Sequence, residues 1–268
     1  MAKISDVYDY LSAFAPVEMK MDFDNVGHLV GRADSEAAKI IVSLDVTDDV
    51  ISEAIGTGAR LIVAHHPMFF SLKNVTDADV TGRKIIRMLE NGISAICMHT
   101  NLDATRGGVN DALAEIVGIS SPGKLEAGLL AEDGHLKSGE AFSYGRCGYL
   151  AAPCKLADYL EMLKKRLNTA GLRYLDAGRD VYKVGIVGGS GGSEFHHAVQ
   201  QRCDTFVTAD IKYDTFLEAK ELGINLIDGD HFCTENVVTA VLENKLRAAF
   251  PDTEVTISHC HGQTAKFY

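Results

Sequence analysis

Short runs of β-branched and apolar residues alternate with amphipathic stretches through most of this 268-residue chain. Lys39 to Thr47, Ala59 to Ala64, Ile93 to Met98, Val181 to Val187, Thr205 to Ala209 and Ile224 to Asp228 have the unbroken apolar character of strands buried on both faces. Helical patterns separate them at Asp48 to Gly58, Gly82 to Asn91, Val109 to Val117, Lys155 to Asn168, Glu194 to Arg202, Tyr213 to Leu222 and Glu235 to Phe250. Asp48 is placed as an N-cap or first-turn acid, and Asn91-Gly92 as a helix stop. Further strand patterns lie at Phe142 to Leu150, Leu172 to Leu175 and Glu254 to Ser258. Strands alternating with helices of this length build βαβ units, so the expected fold is α/β with largely parallel sheets.

A Gly- and Ser-rich stretch from Ser120 to Glu140 reads as a linker. It divides the chain into two expected α/β domains, 1–125 and 126–268, related in layout. In the first, strand–AHHP–helix–strand leads to HTNLD. In the second, strand–ADIKYD–helix–strand leads to GDHFCTE. Active groups of such sheets sit at the carboxyl ends of strands, and both halves carry their polar residues there.

Three clusters follow apolar strands directly: His65-His66-Pro67, His99-Thr100-Asn101-Leu102-Asp103, and Asp228-Gly229-Asp230-His231 with Glu235 beyond. Neutral imidazole and carboxylate are the ordinary ligands of zinc, manganese, iron and nickel. Adjacent histidines on an extended segment point to opposite sides, so His65 and His66 serve either two ions or one ion and the structure. His231 and Glu235 share a face if a helix starts near His231. Asp103 supplies an oxygen. The set of His65, His66, Asp103, His231 and Glu235 exceeds what one tetrahedral ion needs. It suits two divalent cations about 3.5–4 Å apart that activate a bridging water. Each residue taken singly also has an ordinary role as a hydrogen-bonded turn or cap residue; the coincidence of three clusters favours metal.

Composition narrows the partners. Net charge is −11, from 26 basic and 37 acidic residues, which argues against nucleic acid. No apolar run reaches eighteen residues, so no membrane span is expected. The start, MAKISDVYDYL, lacks a secretory leader, and a cytoplasmic location is expected. The six cysteines form no C-x-x-C pair and are read as reduced thiols.

The same motifs carry a resemblance. Asp24-Asn25-Val26-Gly27 with Gly31, Ser43-Leu44-Asp45-Val46-Thr47, Ala64-His65-His66-Pro67, His99-Thr100-Asn101-Leu102-Asp103, Thr208-Ala209-Asp210-Ile211-Lys212-Tyr213 and Gly229-Asp230-His231 with Glu235 make the chain similar to the Nif-three-like dinuclear metal-centre proteins, the type-two homologues of GTP cyclohydrolase one. The resemblance implies two α/β domains with two metals between them and a toroidal homohexamer. It implies His65, His66, Asp103, His231 and Glu235 as ligands, with Glu235 bridging, and His99 beside the metals. His28 departs from the apolar residue usual at its position.

Other candidates are weaker. Lys212 is a candidate for a substrate anion or an oxyanion, and Asp210 for orienting a ligand histidine. Each is equally a feature of a capped helix start. Asp45 either supports a ligand or caps a helix. Gly188 to Gly192 forms a tight turn or an anion cradle. His196 and His197 are placed on the surface; His259 and His261, which would face one side of a strand, belong either to a fraying tail or to a metal site. The expected activity is metal-dependent hydrolysis of a small polar substrate, such as a nucleotide or phosphoester, with His99 and Lys212 as candidate catalytic residues. The alternative is a metal-binding assembly or metal chaperone without turnover.

Overall fold

The computed structural model describes residues 2–125 and 143–268. In chain order, the elements of the first stretch are α1 (Ile4–Phe14), β1 (Gly27–Val30), β2 (Lys39–Ser43), α2 (Asp48–Thr57), β3 (Leu61–Ala64), α3 (Val80–Glu90), β4 (Ser94–Cys97), α4 (Thr100–Ala104), α5 (Val109–Val117) and β5 (Ser120–Lys124). Those of the second are β6 (Arg146–Cys154), α6 (Leu156–Arg166), β7 (Arg173–Leu175), β8 (Val181–Ile186), α7 (Phe195–Gln200), β9 (Thr205–Thr208), α8 (Tyr213–Leu222), β10 (Asn225–Asp228), α9 (His231–Glu235), α10 (Val237–Ala249) and β11 (Glu254–Ile257).

The chain forms two compact units: Met1–Leu102 with Val238–Gly262, and Asp103–Val237 with Gln263–Tyr268. The expected cut at 125/126 therefore differs from the structural one. The end of α4, all of α5 and β5 belong to the second unit, and the last long helix and strand return to the first. The Gly- and Ser-rich stretch is also no simple linker, because Ser120–Lys124 pairs with β6 as an edge strand. The rest of that stretch, and the expected strand start at Phe142, lie outside the described residues.

The first unit holds a five-stranded sheet in the order β1-β4-β3-β2-β11. Strands β4, β3, β2 and β11 pair in parallel, and β1 closes one edge antiparallel to β4. Strand β2 ends at Ser43, short of the expected Thr47, and Thr47 instead caps α2, its side chain accepting from Val50 N–H. Asp48 is thus a first-turn acid and not the cap. Gly58, at φ 74°, stops α2 in the left-handed conformation that favours glycine. Ile41, Ile62 and Ala95 pack with Val50, Ile51, Ala54, Ile85 and Met88 of α2 and α3. Strand residues alternate between faces, so Ile40, Val42, Leu61, Val63 and Ile96 point the other way, and they too are buried. The stripes Ile4-Val7-Leu11 of α1 and Val238-Leu242-Leu246 of α10 are also buried, as helices on both faces of a parallel sheet require.

The second unit holds a six-stranded sheet, β5-β6-β8-β9-β10-β7. Its centre, β8-β9-β10, is parallel, and its flanks are antiparallel. One face packs Val184, Ile186, Val207 and Ile227 against Leu113 and Val117 of α5 and Tyr159 and Leu163 of α6. The other packs Phe206 and Leu226 against Phe195 and Ala198 of α7 and Ala219 of α8. No helix among the described residues is long and apolar enough to cross a membrane.

Candidate metal centre

In the first unit the functional side chains stand where β3 and β4 leave the sheet. Strand β3 ends at Ala64. The N–H groups of both His65 and His66 then donate to the Leu44 carbonyl, at 3.1 and 2.9 Å. The chain is no longer extended there, so the two rings do not diverge as an extended segment would force. Their centroids lie 5.0 Å apart, and the His99 ring lies 5.1 and 5.5 Å from them. The three residues offer ligand nitrogens all within 4.8 Å of one another.

Each imidazole is held through Nδ1. His65 Nδ1 lies 2.9 Å from the Met98 carbonyl oxygen. His66 Nδ1 lies 2.7 Å from Asp45 Oδ1, and His99 Nδ1 lies 2.8 Å from Asp24 Oδ1. A carbonyl or ionised carboxylate only accepts, so Nδ1 is the donor in each case. The neutral tautomer then carries its lone pair on Nε2, the form a cation needs.

Both supporting carboxylates are held ionised. Burial opposes the Asp24 charge, but hydrogen bonds from His99 and Thr100 bring the carboxyl down to about 2. Its Oδ2 accepts from the Thr100 N–H at 3.0 Å, which fixes the start of α4. Burial likewise opposes the Asp45 charge, and hydrogen bonds from His261 and His66 hold it well below the carboxylate range.

In the second unit, Asp230 begins α9. Its side chain accepts from Cys233 N–H, at a φ of 73°. The five-residue helix puts His231 and Glu235 one turn apart on one face, with His231 Nε2 2.9 Å from Glu235 Oε2. Asp210, in the left-handed conformation at φ 52°, accepts from His231 Nδ1 at 2.7 Å. Burial disfavours the His231 cation, yet Glu235 and then Asp210 outweigh it and raise the imidazole to about 9. Asp103 and Glu235 offer oxygens within 4.8 Å of each other, and Glu235 is buried.

The glycine turn after β8 shapes this set. Gly189 has φ 61°, and a Cβ there would lie 1.8 Å from Glu235 Oε1 and 3.1 Å from His231 Nε2. Only a bare backbone lets the carboxylate sit where it does. The N–H groups of Gly188, Gly189 and Gly191 donate to Asn110 Oδ1, Thr234 Oγ1 and Thr208 Oγ1, at 2.8, 3.0 and 2.9 Å. These three donors of the turn are engaged within the fold, which counts against their use as an anion cradle.

Lys212 is the N-cap residue of α8, with its side chain exposed. His196 is 62% exposed and pairs with Glu218, as expected of a surface residue. His261 departs from expectation. Its side chain is only 8% exposed, and its Nε2 lies 2.8 Å from Asp45 Oδ2. Asp24, which holds His99 Nδ1, is a further residue of the candidate site that the strand-end clusters do not contain. Its position in the Asp24-Asn25-Val26-Gly27 motif is the available signal, whereas the His261 contact spans the chain and has no local signature.

An α/β chain with groups of imidazoles and carboxylates gathered at its strand ends has side chains that could hold a metal ion. A family model described as Duf34/NIF3 (NGG1p interacting factor 3) matches residues 2–264, and the chain belongs to that family. A relative from Clostridium perfringens, called a GTP cyclohydrolase 1 type 2 homolog, is 34% identical over 96% of each chain. A Staphylococcus aureus protein of known structure is similar with a TM-score of 0.89, at 26% identity, covering 100% of this chain and 99% of its own. A Bacillus cereus protein related to NIF3 has a TM-score of 0.90 at 23% identity, covering 100% and 99%, and speaks for the fold alone.

Proposed function

We propose that the chain is a dinuclear metal hydrolase in which His65, His66, Asp103, His231 and Glu235 hold two divalent cations, with Glu235 shared between them. The observation that carries this reading is the common wiring of the imidazoles. In His65 and His66, Nδ1 donates to a carbonyl or carboxylate, the tautomer whose Nε2 carries the lone pair a cation needs; His231 Nδ1 is likewise held by Asp210, while its Nε2 faces Glu235, the carboxylate that would ligate beside it. Orienting partners of this kind are what metal-binding histidines require. The donor set, imidazole with carboxylate, fits zinc, manganese, iron or nickel.

Such a pair of cations supplies Lewis acidity and lowers the pKa of a water toward neutrality. The protein's part is to fix its ligands before substrate arrives. Asp45 and Asp210 set the direction of the His66 and His231 rings, and Gly189 leaves space for the Glu235 carboxylate. His99, locked on Asp24, stands beside the other two histidines and is placed to exchange a proton with substrate. Lys212, exposed at the start of α8, is the candidate for meeting an anionic group. The substrate class is a small polar molecule such as a nucleotide or phosphoester, in line with the name borne by the relatives. The homohexamer belongs to this reading through the family resemblance, and the cytoplasmic location through the character of the sequence itself. Light scattering on a size-exclusion column tests the first, expecting the mass of six chains.

A second reading is favoured by the glycine turn. The N–H groups of Gly188, Gly189 and Gly191 are engaged within the fold, so they offer no anchor for an anionic substrate, which suits a metal-binding assembly without turnover. Metal analysis and a hydrolysis screen on the same preparation separate the two. Two equivalents of metal per chain with phosphoester or nucleotide turnover support the hydrolase. Metal that passes readily to an acceptor chelator, with no turnover, supports the assembly. Asp103→Ala and Glu235→Ala should each lower bound metal by at least half while the far-ultraviolet circular dichroism stays unchanged. Full metal in both variants would falsify the proposed ligand set.

A further inference from the structure

We propose that His261 is a positioning residue for the metal centre, acting through Asp45 on His66. The inference rests on the metal-binding reading above and adds a residue that no strand-end motif contains. Asp45 uses both carboxylate oxygens on imidazoles: Oδ1 accepts from His66 Nδ1 at 2.7 Å, and Oδ2 accepts from His261 Nε2 at 2.8 Å. A carboxylate held from one side can turn about its last torsion, which is broad for sp2 ends. Held from both sides it cannot, and the His66 ring inherits that fixity.

The segment bearing His261 is itself anchored. Ser258 N–H donates to the Val42 carbonyl at 2.8 Å, extending the parallel pairing of β11 with β2. Glu53, on α2, accepts from the Ser258 hydroxyl and, at 3.0 Å, from the His259 N–H. The imidazole is thus delivered from a fixed backbone and buried to 8% exposure. Two residues on, Gln263 donates its amide to the carboxylate of Asp230, the N-cap of the helix that carries His231 and Glu235. The stretch from 258 to 263 therefore supports one residue behind each ligand set.

Cobalt(II) titration of the full chain tests this, read by the visible ligand-field spectrum and by competition with a chelator. His261→Leu removes the donor; His261→Gln keeps an N–H of similar reach. The leucine variant should bind cobalt about 10- to 100-fold more weakly, the range for lost orienting partners, with shifted visible bands. The glutamine variant should recover most of both, and the two should melt alike without metal. His261→Phe, of similar ring volume, replaces the leucine variant if that fails to fold. Wild-type affinity and spectrum in the donor-less variant, with cobalt lost in His66→Ala, would overturn the role of His261 and leave the metal centre standing. Wild-type cobalt binding in His66→Ala as well would overturn both.

Discussion

At the residue scale, the decisive feature is which nitrogen of each histidine is tied down. His65, His66, His99 and His231 all commit Nδ1 to an acceptor. Carboxylate acceptors also raise the basicity of the opposite nitrogen, so they set both direction and donor strength. Asp210→Ala should therefore weaken metal binding about 10- to 100-fold, less than the loss of Glu235 itself, as measured by chelator competition at fixed pH. The sequence exposes the proposed ligands more readily than the residues that hold them. His65, His66, Asp103, His231 and Glu235 follow apolar strands within a few residues, a local pattern. Asp24 meets His99 across 75 residues and His261 meets Asp45 across 216, and such separations leave no periodicity to detect. Lys212 sits at a helix start, where a solvated cap and an anion anchor have the same local sequence.

At the scale of elements, regular segments are legible where propensity and burial agree. Helix α8 can be read with both its ends, because Gly223 stops it at φ 67°. Helix α9 is only a condition attached to His231, since five residues carry too little pattern. Strand β5 is hidden by composition: SSPGK has every mark of a loop, yet it pairs with β6 at a sheet edge. The glycine turn shows how an element end can be shaped for a neighbour. Gly189→Ala would drive a methyl into the Glu235 carboxylate and strain a left-handed residue. It should destabilise the fold by more than about 1 kcal/mol and lower metal content together. Denaturant unfolding and elemental analysis of one sample report both effects, and an unchanged metal content would mean that the carboxylate is not held there.

At the scale of the molecule, the division into two units carries two expectations. The second unit is clasped by Arg146, whose guanidinium meets Asp111 at 2.7 Å and the carbonyls of Ser143, Gly145, Ala104 and Thr105. Burial opposes the Asp111 charge, but Arg146 outweighs it and lowers the carboxyl. A lowered carboxylate stabilises the fold fully above its unfolded pKa of about 3.9 and loses that contribution as pH falls through the folded value. Thermal melts should thus show an acid limb below about pH 4 that is shallower in Asp111→Asn, whose melting temperature is already lower at neutral pH. The first unit needs residues from beyond 238, so a fragment of residues 1–125, which passes as a domain on sequence alone, should lack a cooperative melt. Sharp unfolding of that fragment by calorimetry would contradict the division.

The return of the chain to its first sheet also sets an order of events during synthesis. The ribosome has delivered β1 to β4 by residue 97, yet their neighbour β11 ends at residue 257. At about 5–20 residues per second, the intervening 257 − 97 = 160 residues take roughly 8–32 s. For that interval the nascent β2 has an open side, while the inserted unit can finish its own sheet first. A chaperone that shields an unpaired strand edge would find its client here in the amino-terminal part of the chain, and synonymous codons that slow translation after residue 97 would lengthen the exposure.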